Sequence, residues 1–166
     1  MNTIARELLV GFDEEAASTK KILERVPMKD LQWKPHQKST PIGRLAAHVA
    51  TLPRFAATVV KDASHDLDPK RAMAEFATTE ELVTAFQESS QKARAAIEHA
   101  TDAQLAEPWT LTAGGKKIFT FPRAQVIRMY ALNHLIHHRA QLGVYLRLND
   151  VPVPGAYGPS ADERVA

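Results

Sequence analysis

The 166-residue chain contains no cysteine. That excludes disulfides, thiolate nucleophiles, iron–sulfur clusters and sulfur-based zinc sites. An excess of one charge is also missing. Lys and Arg number 21 against 19 Asp and Glu, a net charge of +2 with histidine neutral. The two signs are interspersed, as in Asp13-Glu14-Glu15 followed by Lys20-Lys21. No basic stripe marks a nucleic-acid footprint, so no nucleic-acid partner is expected. No run reaches the ~18 apolar residues of a membrane span. Residues 1–10 carry an acid beside only a short apolar run, unlike a signal or transit peptide. The expectation is a protein of the reducing cytoplasm with no membrane partner. GxGxxG, P-loop and G-x-S-x-G signatures are absent too.

What remains is an ordinary globular composition, 45% hydrophobic and 24% charged. It suits a single domain over residues 1–166. It also includes seven histidines. Without cysteine, any bound transition metal would have to be held by nitrogen and oxygen, so the histidines are the residues to follow.

Four helical segments are expected. The first covers residues 2–26, with Ile4, Leu8, Phe12, Ala16, Leu23 and Val26 on one face, and Pro27 stops it. The second runs from Thr40-Pro41 to Lys61, with threonine as cap and proline at the first helical position. Leu45, His48, Leu52, Phe55 and Val59 form its stripe, and Pro53 should kink or divide it. The third opens at Thr78 with Glu81 at the capping-box spacing and continues to Ala100. The fourth spans Pro122 to Leu148.

Residues 62–77 read as a polar connection. The link 101–121 is compatible with a small hairpin around Gly114-Gly115 or with an irregular loop. A proline-rich tail follows the last helix and should pack against the rest through Ala156 and Tyr157. The predicted fold is all-α: a four-helix bundle with long connections and an extended C-terminal tail.

The chemistry concentrates in Asn133-His134-Leu135-Ile136-His137-His138-Arg139. Residues four apart on a helix differ by about 40° around the axis, so His134 and His138 project side by side and can share a metal. On a wheel with His134 at zero, His138 falls in the apolar arc with Ile127, Ala131, Leu142 and Tyr145. His137 falls at about −60°, toward Asn133 and Val144, and reads as peripheral.

His48 sits in the middle of the apolar stripe of the second segment. A buried imidazole is costly unless its nitrogens are satisfied, and a shared metal would satisfy it. A lone core histidine is usually a hydrogen-bonded structural residue. Three on predicted core faces point jointly to a metal site. His36, His65 and His99 read as surface residues. Leu135 stands where a zincin would have its glutamate, and no acid lies within the pair, which opposes a carboxylate di-iron centre. Trp33 and Trp109 read as packing anchors.

The sequence resembles the DinB-like superfamily, which includes the bacillithiol S-transferase-like proteins. The resemblance covers nearly the whole chain. It rests on Leu31-Gln32-Trp33-Lys34-Pro35, Pro41-Ile42-Gly43-Arg44-Leu45-Ala46-Ala47-His48, the run Asn133 to Leu142, and Tyr145-Leu146-Arg147 leading into Val153-Pro154-Gly155-Ala156-Tyr157-Gly158-Pro159-Ser160. Ala140 stands where the family often has glycine. The resemblance implies up-down-down-up helix order, homodimers, and a divalent metal held by His48, His134 and His138. It also implies chemistry on thiol-linked substrates with low-molecular-weight thiols, although fold and family do not settle a substrate.

The expected function is therefore a metal-dependent enzyme that activates a thiol or water against a small electrophile, with zinc, nickel, iron or manganese as the metal. Asn133, His137, Gln141 and Tyr145 are candidates for supporting the ligands or lining a pocket. Arg139 points away from the metal and should pair with an acid elsewhere. The alternative is a non-catalytic metal- or small-molecule-binding bundle acting in a stress response.

Overall fold

A computed structural model describes residues 3–68, 70 and 72–163. Asn2, the expected first helical residue, lies outside them. Helix α1, Thr3–Leu23, buries Leu8, Phe12 and Leu23 of the expected face, and Leu9 and Ile22 beside them. The second segment is divided at Pro53 into α2, Ile42–Thr51, and α3, Arg54–Lys61.

Proline donates no backbone hydrogen bond. The break is repaired from outside. Buried Ser89 Oγ accepts the Arg54 N–H at 2.9 Å and donates to the Thr51 carbonyl at 3.2 Å.

Thr40 does not cap α2. Pro41 holds the N-cap position without a side-chain bond. The first helical N–H groups are taken instead by the preceding loop: Ile42 donates to the Trp33 carbonyl at 2.9 Å and Gly43 to the Leu31 carbonyl at 3.0 Å.

Ser89 lies on α4, Thr79–His99, which opens with the expected Thr78–Glu81 capping box. It packs against α1, α2 and α3.

The all-α expectation is corrected by a three-stranded sheet. Residues 62–77 contain β1, Ser64–Leu67, and the link 101–121 contains a short α5, Asp102–Ala106, then β2, Pro108–Ala113, and β3, Lys116–Pro122. The hairpin alternative holds: Gly114 and Gly115 turn with φ of +55° and +75°, which glycine adopts without a Cβ penalty. Strand β1 joins β2 in parallel, Ser64 opposite Thr110. Asp66 ties them, since its carboxylate accepts from Thr112 Oγ1 at 2.5 Å and from the Gly115 N–H at 3.1 Å. The fold is mixed α/β, helices with a small sheet at one end, and not an all-α four-helix bundle.

The fourth segment is helical throughout but not α throughout. It comprises α6, Arg123–Val126, a π-helical stretch, Ile127–Asn133, and α7, His134–Leu148. Helix α7 packs against α1 and α2. The tail docks differently from expectation. Val151 and Val153 pack on the core, while the Tyr157 side of the tail is held by polarity, with the residue 73% exposed. Its hydroxyl accepts from Arg139 Nη2 at 2.7 Å and donates to the Glu15 carboxylate at 2.8 Å.

Two apolar clusters divide the core. One holds the N-terminal half of α1, α3, Trp109 and the π-helical residues; the other holds α2, Leu82, Phe86 and the buried face of α7. The Pro53 break and the start of α7 mark the boundary between them.

Candidate metal centre

His48 lies near the end of α2, and His134 and His138 lie on the first turns of α7. Because α2 packs on α7, the three rings meet. His48 stands 5.1 Å from His134 and 4.7 Å from His138 between ring centroids, and His134 and His138 are 4.6 Å apart. One ring nitrogen from each lies within 4.8 Å of the others, and all three residues are half-buried. The facing atoms of the α7 pair are Nε2 and Nε2, separated by 2.8 Å.

Burial pushes all three imidazoles toward the neutral form. The His48 pKa falls to about 4, first through burial and then through the neighbouring charges of His138 and His134. That of His134 is lowered by burial and His138, against a hydrogen bond to the Tyr130 backbone. That of His138 is lowered by burial, against its bond to Gln141. Neutral imidazole is the form that ligates a metal.

Gln141 Oε1 accepts from His138 Nδ1 at 2.7 Å, so Nδ1 carries the ring proton and the Nε2 lone pair faces the centre of the cluster. The donor set fits a transition metal: three neutral nitrogens, at least one tautomer fixed from behind, and no carboxylate or thiolate.

The supporting candidates separate cleanly. Gln141 reaches the centre through His138. His137 is exposed and touches the His138 ring at 4.9 Å between centroids, outside the converging set. Asn133 is exposed at the end of the π-helical stretch. Tyr145 packs edge-on to Trp33 at 5.6 Å in the α2–α7 core. Arg139 pairs with Glu15 of α1, both buried, as an acid elsewhere in the chain requires.

Sequence reasoning missed the space beside the cluster. A cavity of about 470 Å³ opens from His48 and His134 between α3, the sheet and the π-helical stretch. His65, read as a surface residue, lines it from β1. So do Phe55, Phe119 and Tyr130. The apolar run Ile118-Phe119 in the predicted hairpin was the available signal for this wall.

A sequence profile of the DinB superfamily matches residues 12–142. The chain belongs to the DinB superfamily. No curated protein sequence matches it. Among solved structures, this DinB superfamily chain is similar to a DinB-like protein from Bacillus cereus ATCC 10987, with a TM-score of 0.69 and 21% identity over 90% of this chain and 95% of that one. It is likewise similar to a DinB-like protein from Bacillus subtilis, with a TM-score of 0.67 and 21% identity over 96% of this chain and 99% of the other. At such identities the likeness concerns the DinB fold alone. Among the described residues, no helix is long and apolar enough to cross a membrane.

Proposed function

We propose that His48, His134 and His138 hold a divalent transition metal, zinc, nickel, iron or manganese, in a metal-dependent enzyme acting on a small electrophile. The observation that carries this reading is the meeting of two Nε2 atoms at 2.8 Å, with the His138 proton committed to Gln141 on the far side of its ring. With His138 Nε2 left as an acceptor, a shared cation would satisfy this half-buried pair in place of a proton between the two rings. Three protein ligands leave a coordination position open, as catalytic sites do. A metal bound there would supply Lewis acidity and lower the pKa of a thiol or water.

The chain's own part is to bind, orient and exclude. Burial keeps the ligands neutral, Gln141 orients His138, and the adjoining cavity gives a small substrate a place away from bulk water. The chain has no cysteine, so thiol chemistry requires a thiol from outside, such as a low-molecular-weight thiol.

The test is elemental analysis of protein purified without chelator or histidine tag. It is followed by thiol transfer to a model electrophile with a panel of thiols. The expected result is about one metal ion per chain, lost in His48→Ala and His138→Ala, with turnover lost alongside. Unchanged metal content in both variants would remove the site. Bound metal without turnover over the panel would favour a non-catalytic binding protein.

A further inference from the structure

The cavity beside the histidines has a character of its own. Its volume of about 470 Å³ lies in the range of small-molecule pockets. No carboxylate lines it. Three aromatic rings on its walls, Phe55, Phe119 and Tyr130, come from separate elements, and Arg54 also lines it. Phe119 of β3 stacks on Tyr130 of the π-helical stretch, with centroids 4.6 Å apart and planes 18° from parallel. Phe55 of α3 meets His65 of β1 edge-on at 6.1 Å. Two large apolar residues on its lining, Ile118 and Leu67, remain 53% and 40% exposed. Exposed apolar side chains are ordinary when scattered. Here both lie on strands bordering one opening, where a bound apolar molecule would cover them.

From these features we infer that the cavity is the substrate chamber of the histidine site and selects small molecules with an aromatic ring. The inference rests on the reading above for the identity of the site. The selectivity belongs to three rings, Phe55 of α3, Phe119 of β3 and Tyr130 of the π-helical stretch, while Leu67, Leu111 and Ile118 of the sheet add apolar surface. Stacking between aromatic rings, beyond buried area, gives a preference of about 2- to 12-fold over a saturated ring of similar size.

The chain carries a reporter for this. Fully buried Trp109 packs edge-on to Phe55 at 5.7 Å, directly behind the cavity wall. Trp33 is the other of the two tryptophans, so Trp33→Phe leaves Trp109 alone. Titration of that variant with 4-nitrobenzyl alcohol, an uncharged quencher, should give saturable loss of Trp109 fluorescence. Benzyl alcohol should relieve it about 2- to 12-fold more effectively than cyclohexylmethanol. Ile118→Glu and Leu67→Glu, placed at exposed positions that leave the fold intact, should each weaken the binding about tenfold by setting a charge against the ligand.

The titration is run on metal-loaded and on chelator-stripped protein, with metal content measured separately. Saturable quenching that survives stripping supports the chamber even if the metal reading fails. Linear, collisional quenching, equal competition by the saturated ring, or indifference to both rim substitutions overturns it. So does a change in sedimentation caused by the rim substitutions, which would show that a second chain covers the opening.

Discussion

Nε2 of His134 lies 2.8 Å from Nε2 of His138, while Nδ1 of His138 is engaged by Gln141. The polarity of the pair is therefore set from outside it. Gln141→Leu should leave the fold unchanged, because Gln141 is exposed. It should weaken zinc binding by about 10–100-fold, the usual effect of losing a partner behind a ligand. Competition with a chelator of known affinity measures this. Gln141→Glu, which keeps the acceptor, should retain most of the affinity. Equal affinity in Gln141→Leu and the parent would show that the bond orients nothing.

Metal-free protein should lose stability in mild acid. The His48 pKa is lowered from its ordinary 6.5 to about 4, and those of His134 and His138 move the same way. Between those values the unfolded chain takes up a proton that the folded chain refuses. The stabilising contribution is complete above 6.5 and declines as pH falls toward 4. Thermal midpoints of chelator-treated protein from about pH 7 to about pH 4.5 should fall, and less steeply in His48→Gln. Parallel curves for the two proteins would contradict the burial argument.

Ser89→Ala should be destabilising out of proportion to its size. It removes the group that mends the chain at Pro53, leaving the Arg54 N–H and the Thr51 carbonyl without that partner. Loss of a buried hydrogen-bond partner costs about 1–3 kcal/mol. Urea denaturation gives the value, and a change within error would place the repair elsewhere.

Gly43→Ala should also destabilise, by about 1–3 kcal/mol through overpacking. An added Cβ would stand 2.8 Å from Leu31 Cβ and 3.0 Å from the Leu31 carbonyl oxygen, the atom that caps the start of α2. Because α2 carries His48, metal affinity should fall together with the denaturation midpoint. A stable variant would mean that the 28–40 loop can yield.

Arg139 and Glu15 form a buried ion pair with side chains only 4% and 11% exposed. Arg139→Met strands the Glu15 charge and should cost about 3–5 kcal/mol. Adding Glu15→Leu should recover most of it, since a buried pair replaced by apolar groups is often neutral. Non-recovery in the double variant would assign the loss to the Tyr157 contacts instead.

The three-histidine cluster was legible because most of its geometry is local. His134 and His138 both fall inside α7, where residues four apart share a face, and His48 interrupts an apolar stripe that faces α7. The capping box at Thr78 and the division at Pro53 are local signals of the same kind. The sheet was not legible as a sheet. Strand β1 is four residues long and mostly exposed, and its parallel partner lies beyond α4 and α5, so Ser64 meets Thr110 with no neighbouring signal. His65 was misplaced with it, because only that pairing makes it part of the cavity. Thr40 was misread because backbone carbonyls of a loop cap α2 as well as a hydroxyl could.

The π-helical stretch acts as a phase shifter. An α-helix advances about 100° per residue and keeps every side chain in step, whereas Ile127–Asn133 closes its hydrogen bonds one residue later. Side chains before it and side chains after it therefore obey different clocks on one continuous rod. A wheel drawn at constant pitch through Ile127, Ala131 and His138 is out of step on its upstream side, though its downstream part remains true. The cavity wall at Tyr130 keeps one time and the imidazoles of His134 and His138 keep another. Shortening the stretch by one residue would rotate the wall relative to the imidazoles by about a quarter turn, leaving the spacing of His134 and His138 untouched while presenting a different surface to whatever enters.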